Sequence, residues 1–544
     1  MKTTISQDFS LAPVSDALSF APMTNDGAMP SLAMPEDDAR HDASRIAILD
    51  YLTLASPSPS LSLNNASQGV GTAPALKVTK APQSTVEEST ISPDSSNSGE
   101  AKSPTTRVIG EPEPGDDPEP TAEYWLNSEY TDEDLADSYK FNNLNDLLNA
   151  TPAAKKIYVK GGSYNESLGF EGKTTVIEAG TFNANVHGSN DDLNTATGRG
   201  YLIVDGGTFN RVYAGDLLSG GTVDNLFYSQ GLRVTGGVFN GAVCAGSRLM
   251  DGTLAARGNT QLYITGGTFN KIVCATHNMD TSAANAAISL KGDITLNISG
   301  GTFNKKIFAG ILSTYLANSA NATQEGNINV TVDTSQKPVT INGPYFVVGP
   351  SGNGSVNGKV QLTITGDNPL NFRGYFVGGR ENQAYNVSSP ADGKNDTPID
   401  NGVSGTSTVL FDDFRGTLKC TFRGFDTFKV INQSNVTFKN SAFQIKNIVN
   451  WNIATESTVN CNFSNGFEGD NINILLTDLD TDEWTLFRGG AQSFLGFENA
   501  ASVTLCGQSA AWDDSLSAWV SKNFQLSVVP DTGYAQKMVM AFIE

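Results

Sequence analysis

From about residue 156 onward, apolar and polar residues alternate in short runs: Lys156-Ile-Tyr-Val-Lys, Tyr201-Leu-Ile-Val-Asp, Gly231-Leu-Arg-Val-Thr, Gln261-Leu-Tyr-Ile-Thr and Ile294-Thr-Leu-Asn-Ile-Ser. A period of two predicts a strand with one buried face. Each of the last four runs leads into a glycine pair and a fixed phrase. That phrase reads Gly-Gly-Thr-Phe-Asn at 206–210, 266–270 and 300–304, Gly-Gly-Val-Phe-Asn at 236–240, and Ala-Gly-Thr-Phe-Asn at 179–183. A second small apolar strand follows, often closing on Ala-Gly. The phenylalanines stand at 182, 209, 239, 269 and 303, in steps of 27, 30, 30 and 34. A phrase repeated at a period of 20–50 residues predicts a solenoid.

Strands joined by corners at this period must stack in register to satisfy their backbone groups, which places equivalent side chains about 4.8 Å apart. The twin glycines supply positive φ for a tight corner. The five phenylalanines are expected to form an internal aromatic stack, and Asn183, Asn210, Asn240, Asn270 and Asn304 an amide ladder. His187, Tyr213, Cys244, Cys274 and Phe308 fall at one equivalent place, whose chemical variety speaks for bulk and against a reaction. Gly161-Gly-Ser-Tyr-Asn reads as a degenerate first copy, with Tyr164 in place of Phe. The expected fold is all-β, a right-handed parallel β-helix of roughly 13–19 turns and about 60–90 Å. Propeller blades need about 40–50 residues and four strands, which these units do not match. The leucine scaffold of a leucine-rich repeat is missing.

Around the repeats, four regions are expected. Residues 1–120 are rich in Ser, Pro and acids and predict a disordered leader or linker, with a short amphipathic stretch near Asp42–Leu54. Residues 121–155 predict a helical cap: Thr131-Asp-Glu-Asp opens like a helix N-terminus, Phe141, Leu144, Leu147 and Leu148 recur at helical spacing, and Pro152 stops it. Such a cap would cover the open end of a stack. The β-helix proper is expected over 156–490. Its phrase decays past Gly310, where Pro344-Tyr-Phe-Val-Val-Gly and Gly374-Tyr-Phe-Val-Gly-Gly carry the rhythm, and its turns shorten after about 405. Residues 491–544 predict a hairpin-rich C-terminal β cap.

Composition narrows the function classes. The 544 residues carry Lys+Arg 35 against Asp+Glu 57, a net charge of −22, which disfavours nucleic acid and anionic membranes as partners. No apolar run approaches the 18 or so residues of a membrane span. Five scattered cysteines imply no disulfide framework. Asp8, Ser10, Pro13, Ser15 and Asp16 interrupt any signal-peptide core.

Candidate chemistry is sparse. Cys244 and Cys274 lie in adjacent turns with His277 nearby, yet a metal centre needs a fourth convergent ligand, and buried thiols are expected. Asp478-Leu-Asp-Thr-Asp-Glu483 has the alternating carboxylates of a calcium loop without its glycine or its terminal acid, which predicts a solvated turn. The pairs Asp191-Asp192, Asp412-Asp413 and Asp513-Asp514 are the nearest candidates for acid/base work. Neighbours in a strand point to opposite faces, so none is an acid/base pair by sequence alone. No catalytic, cofactor-binding or metal-ligating residue is therefore assigned, and no cofactor is expected.

The Gly-Gly-Thr-Phe-Asn repeats after Lys156-Ile-Tyr-Val-Lys-Gly-Gly-Ser-Tyr resemble bacterial surface and secreted proteins with pectin-lyase-like β-helices, including autotransporter-type adhesin passengers. Phe425-Asp-Thr-Phe-Lys-Val-Ile and Trp484-Thr-Leu-Phe-Arg-Gly are similar to the segment that ends such passengers. The resemblance covers about 130–544, without a recognisable signal peptide or translocator barrel. It implies an extracellular or surface-exposed rod, an adhesin or structural protein whose variable loops meet glycans or surface proteins. The alternative it implies is a lyase or glycoside hydrolase acting on polysaccharide.

Overall fold

Twin glycines set the corner that every repeat shares. In the computed structural model, which describes residues 123–151, 156–188, 199–227, 229–280, 286–313, 321–380, 402–438, 450–461, 471–477 and 481–543, the two glycines of each pair do different jobs. The second lies at positive φ in Gly207, Gly237, Gly267 and Gly301, between +100° and +109°, a region L side chains rarely adopt. The first has no room for a Cβ: one on Gly236 would sit 2.4 Å from the Asp205 carbonyl oxygen, and one on Gly266 2.2 Å from that of Thr235. Conformation thus demands one glycine, and the backbone of the turn before demands the other. The expected disordered leader over 1–120 and the stretch near residues 42–54 lie outside the described residues.

Three sheets of mostly parallel strands result. The lead strands form the first, pairing in register through Arg199–Val204, Ser229–Val234, Thr260–Ile264, Ile294–Ile298, Ile328–Asp333 and Val360–Gly366. It starts with Tyr124–Asn127 beside Ile157–Gly161 and continues through Ser407–Leu418, Thr427–Ile431, Asn450–Ala454 and Asn471–Leu475 to Ser502–Leu505. Alternation is kept throughout: Leu202, Leu232, Leu262 and Leu296 stack inward at one position, and Val204, Val234, Ile264 and Ile298 at the next. The second sheet carries the Thr-Phe strands and the strands after them, from Ser163–Tyr164 to Thr421–Arg423. Among the described residues, a third sheet runs only between Leu217 and Asn357. The architecture is a repeat-built, solenoid-like all-β fold, compatible with a β-helix.

The phenylalanine stack forms as expected. Ring centroids from Phe182 through Phe209, Phe239 and Phe269 to Phe303 lie 4.7, 5.0, 4.8 and 4.8 Å apart, with planes within 12°. Tyr164 tops the column 5.1 Å from Phe182, and its hydroxyl donates to the Gly161 carbonyl, a partner at the open end that a buried phenol needs. Burying each phenylalanine stabilises by about 1.5–3 kcal/mol, and ring stacking adds about 0.5–1.5. Below Phe303 the position passes to Ile341 and then Phe372.

The asparagine ladder forms with a break at Asn210, whose amide is bonded to neither the Asn183 nor the Asn240 amide. Asn183 donates to Asn165 Oδ1 at 2.8 Å, and Asn270, Asn304 and Asn342 each donate to the amide one turn before at 2.8–2.9 Å. Asn210 instead donates to the backbone carbonyl of Asn183 at 3.1 Å.

Both ends of the stack are covered. The N-terminal helix spans Leu144–Ala150, where Asn143 caps it by accepting from the Asp146 amide at 2.9 Å and buried Leu147 joins the main core. The Thr131 opening is a single 3-10 turn, Asp134–Ala136, instead of a helix. Tyr124–Asn127, read from sequence as part of a helical cap, is a strand that extends the first sheet. At the other end, Ser502–Leu505, Gln508–Asp513, Ala518–Val520, Phe524–Pro530 and Gln536–Phe542 pair as successive antiparallel hairpins, and the last strand closes on Glu483–Gly489.

Candidate functional site

The variable place of the repeat lies on the second sheet. His187, Tyr213, Cys244, Cys274, Phe308, Val347, Val377 and Arg423 are successive register partners. Tyr213, Cys244, Cys274, Phe308 and Val347 pack with Leu217 and Leu312 in a small apolar cluster separate from the main core. Their neighbours Val212, Val243, Val273 and Ile307 face that core. Alternation therefore puts this column on the outward side, where part of the third sheet covers it. Cys244 and Cys274 are free thiols and fully buried. Burial pushes the Cys244 thiol well above its ordinary range, and Cys274 Sγ donates weakly to the His277 carbonyl at 3.4 Å. The protonated Cys244 thiol is thus neither a nucleophile nor a ready metal ligand. Among the described residues, no group of three His, Cys, Asp or Glu could hold a metal ion.

One constellation escaped the sequence reading. Asp216, Ser247 and His277 hold equivalent corner positions in consecutive turns, each just after Ala-Gly or Ala-Thr, and all are fully buried. An acid, a hydroxyl and an imidazole in one column invite comparison with a nucleophilic triad. In a triad, serine Oγ donates to an imidazole nitrogen whose partner nitrogen donates to the carboxylate. Here Ser247 Oγ accepts from the Asp216 backbone N–H at 2.9 Å, and His277 Nδ1 accepts from the Ser247 backbone N–H at 3.0 Å. Ser247 and His277 each satisfy a main-chain donor of the turn before, as buried amides require. Burial pulls the His277 pKa down to about 3, so the ring is neutral, and its accepting nitrogen places the proton on Nε2. The column is a corner device. Its only sequence signal was position after Ala-Gly, visible once the repeats are aligned by register.

The carboxylate pairs do not converge. Asp412 accepts from Asn432 Nδ2 at 2.6 Å, while Asp413 pairs with Arg415 at 3.0 Å. Asp513 accepts from the Ser515 hydroxyl and the Ser515 and Leu516 amides, which hold its pKa down, and Asp514 accepts from Trp512 Nε1 at 3.0 Å. Both serve a hairpin turn. Asp191-Asp192 and Asp478 to Asp480 lie outside the described residues. Glu483, at the end of the calcium-like stretch, pairs with Lys537 at 3.1 Å across the terminal sheet.

The outer face of the first sheet is chemically plain over its middle turns. Gln261, Thr295, Asn329 and Gln361 stack at one outward position, and Tyr263, Asn297, Thr331 and Thr363 at the next. Two further amide pairs follow on the same sheet, Asn471 on Asn450 at 2.9 Å and Asn473 on Asn452 at 3.0 Å. No helix among the described residues is long and apolar enough to cross a membrane. No protein-family model, curated protein or solved structure matches this chain.

Proposed function

We propose that the protein is a non-enzymatic β-helical rod, secreted or displayed at a cell surface, that acts as an adhesin or structural component. Its stack is read as right-handed, the hand that nearly all parallel crossovers take, and as pectin-lyase-like in kind. The supporting observation is the outer face of the first sheet: amides, hydroxyls and one tyrosine ring, stacked turn upon turn from Gln261 to Thr363. Hydrolysis of a glycan needs two carboxyl groups about 5–9.5 Å apart around one bond, and this face offers hydrogen bonds without that pair. Variable loops between the copies would supply binding specificity for glycans or neighbouring surface proteins.

The test is a glycan array run beside a panel of polysaccharides assayed for chain shortening. Retention of one or more glycans with no shortening is expected. Turnover of any polymer would replace the rod with the alternative, a polysaccharide lyase or glycoside hydrolase. Fractionation of the producing cell should place the protein outside the cytosol, and a purely cytosolic pool would overturn the surface assignment.

A further inference from the structure

Five cysteines scattered along the sequence become, in the fold, one pair and three others. Cys244 and Cys274 are direct register partners in the parallel strands Val243–Cys244 and Val273–Cys274. No other two cysteines are register partners among the described strands. Cys420 and Cys461 are buried in the main core, and Cys506 is half-buried with its Sγ 3.8 Å from Met540 Sδ.

The register brings the pair within bonding range. Partners on neighbouring strands stand about 4.8 Å apart at Cα, inside the span of about 4.4–6.8 Å that disulfides bridge. The strands are parallel, so both side chains leave the same side of the sheet, and both thiols enter the small apolar cluster. Tyr213 precedes the pair in the column, Phe308 follows it, and Leu217 and Leu312 pack in the same cluster. The sulfurs sense each other: burial first, and then the Cys274 thiol beside it, hold the proton on Cys244. In the reduced chain Cys274 Sγ donates weakly to the carbonyls of His277 at 3.4 Å and Gly310 at 3.7 Å. Rotation about both Cα–Cβ bonds and a small approach of the strands would join the sulfurs.

We propose that Cys244 and Cys274 form a disulfide between consecutive turns when the protein folds in an oxidising compartment. The bond goes beyond the rod reading and takes from it only secretion, which supplies the oxidant. Its timing follows from burial. In the folded chain both thiols are 0% exposed, so the bond forms while the turns are still open and the thiols titrate near their ordinary value of about 8.5. With oxidised glutathione as the oxidant, one cysteine thiolate attacks a glutathione sulfur, the glutathione S–S bond breaks, and one reduced glutathione leaves. The second cysteine thiolate attacks the mixed disulfide and expels the other glutathione. The pair loses two protons and two electrons, and one oxidised glutathione becomes two reduced ones.

The position of the bond gives it a use. Turns of a stack contact only their neighbours and can separate one after another. A bond between two turns inside the repeat block stops that separation at one point. It closes a 30-residue step of chain and so restricts the unfolded ensemble. The same two turns carry Phe239 and Phe269, inside the aromatic column.

The test uses the full chain made in a cell-free extract buffered with oxidised and reduced glutathione, and a second batch made with dithiothreitol. Unfolding in urea with an alkylating reagent, followed by peptide mass spectrometry, counts and maps the thiols. The reduced batch should show all five thiols free. The oxidised batch should show the Cys244 and Cys274 peptides joined, with Cys420, Cys461 and Cys506 free. C244A and C274A should each leave the remaining cysteines unlinked. Oxidation should slow hydrogen exchange about tenfold or more in Val243–Cys244 and Val273–Cys274, and leave Asn450–Ala454 unchanged. Five free thiols in the oxidised batch, linkage through Cys420, Cys461 or Cys506 instead, or equal exchange with and without the bond would each overturn the proposal. Those results leave the rod reading standing. A purely cytosolic pool on fractionation would instead sink secretion, and with it the setting of the bond, whatever the thiol count.

Discussion

The repeat block around Phe182 to Phe303 and the short-turn block from Ser407 to Leu475 solve the same packing problem with different sequence. In the first, turns advance by 30 residues between Phe209 and Phe269, three sheets are present, and the aromatic planes lie within 12° of parallel. In the second, turns advance by 21–23 residues between Thr427 and Asn471, and the third sheet is gone. There Phe411, Phe422, Phe428, Phe438 and Trp451 meet at angles from 39° to 87°. Yet the stacked phenylalanines of the first block and these five side chains of the second are almost wholly buried. Register imposes the ladder where the sequence repeats, and burial alone suffices where it does not.

If burial carries the stability, removing one ring should cost the same in either block. Phe269→Ala and Phe428→Ala are each expected to destabilise by about 3–5 kcal/mol, the range for a large aromatic deleted from a packed core. In a stack whose turns touch only their neighbours, the loss should be local. Hydrogen exchange of the flanking strands, read with urea unfolding, measures both. A loss at Phe269 twice that at Phe428 would mean that parallel stacking contributes well beyond burial, and the comparison would fail.

The two blocks also share a corner device with different chemistry. In the repeat block the Ser247 amide donates to His277 Nδ1, and in the short-turn block Phe414 N–H donates to Ser434 Oγ at 3.0 Å and Ser434 N–H to Ser457 Oγ at 3.1 Å. His277 has its pKa lowered to about 3 by burial, against about 6.5 in the unfolded chain. The unfolded state therefore binds the extra proton first as pH falls, and folding weakens between pH 6.5 and 3, by up to about tenfold per pH unit. Serine corners have no such titration. Exchange of the Ser247 amide should accelerate through that window while that of Ser434 follows no histidine-like curve, and His277→Gln should flatten the Ser247 response. An unchanged Ser247 profile between pH 6.5 and 4 would refute the neutral, buried imidazole.

How much of this was legible in the chain divides along the same line. Register in the repeat block was readable because glycine, phenylalanine and asparagine recur at fixed places, so Tyr164 could be matched to Phe182 across a degenerate copy. Tyr124–Asn127 was not readable as a strand, because four residues carry too little period and its partner Ile157–Gly161 lies 30 residues on. The Asp216, Ser247 and His277 column was hidden for another reason: the three residue types differ, and only alignment of the corners shows that Ser247 and His277 accept from the same main-chain position.

The asparagine ladders give the finest contrast between the blocks. Asn270 sits mid-ladder, donating to Asn240 and accepting from Asn304, whereas Asn473 in the short-turn block donates to Asn452. Each amide bond contributes about 0.5–1.5 kcal/mol net, toward the low end where water competes. Asn270→Ala removes two bonds and leaves one acceptor and one donor for solvent to satisfy, so about 1–2 kcal/mol is expected, and Asn473→Ala should cost about half as much. Asn270→Asp keeps both acceptor oxygens for Asn304 but takes away the donor to Asn240, and should fall between wild-type and alanine at neutral pH. Urea midpoints at a constant slope would rank the three variants. Equal costs for Asn270→Ala and Asn473→Ala would mean that ladder continuity adds nothing to a single amide pair, and that the repeated Asn is kept for its corner conformation alone.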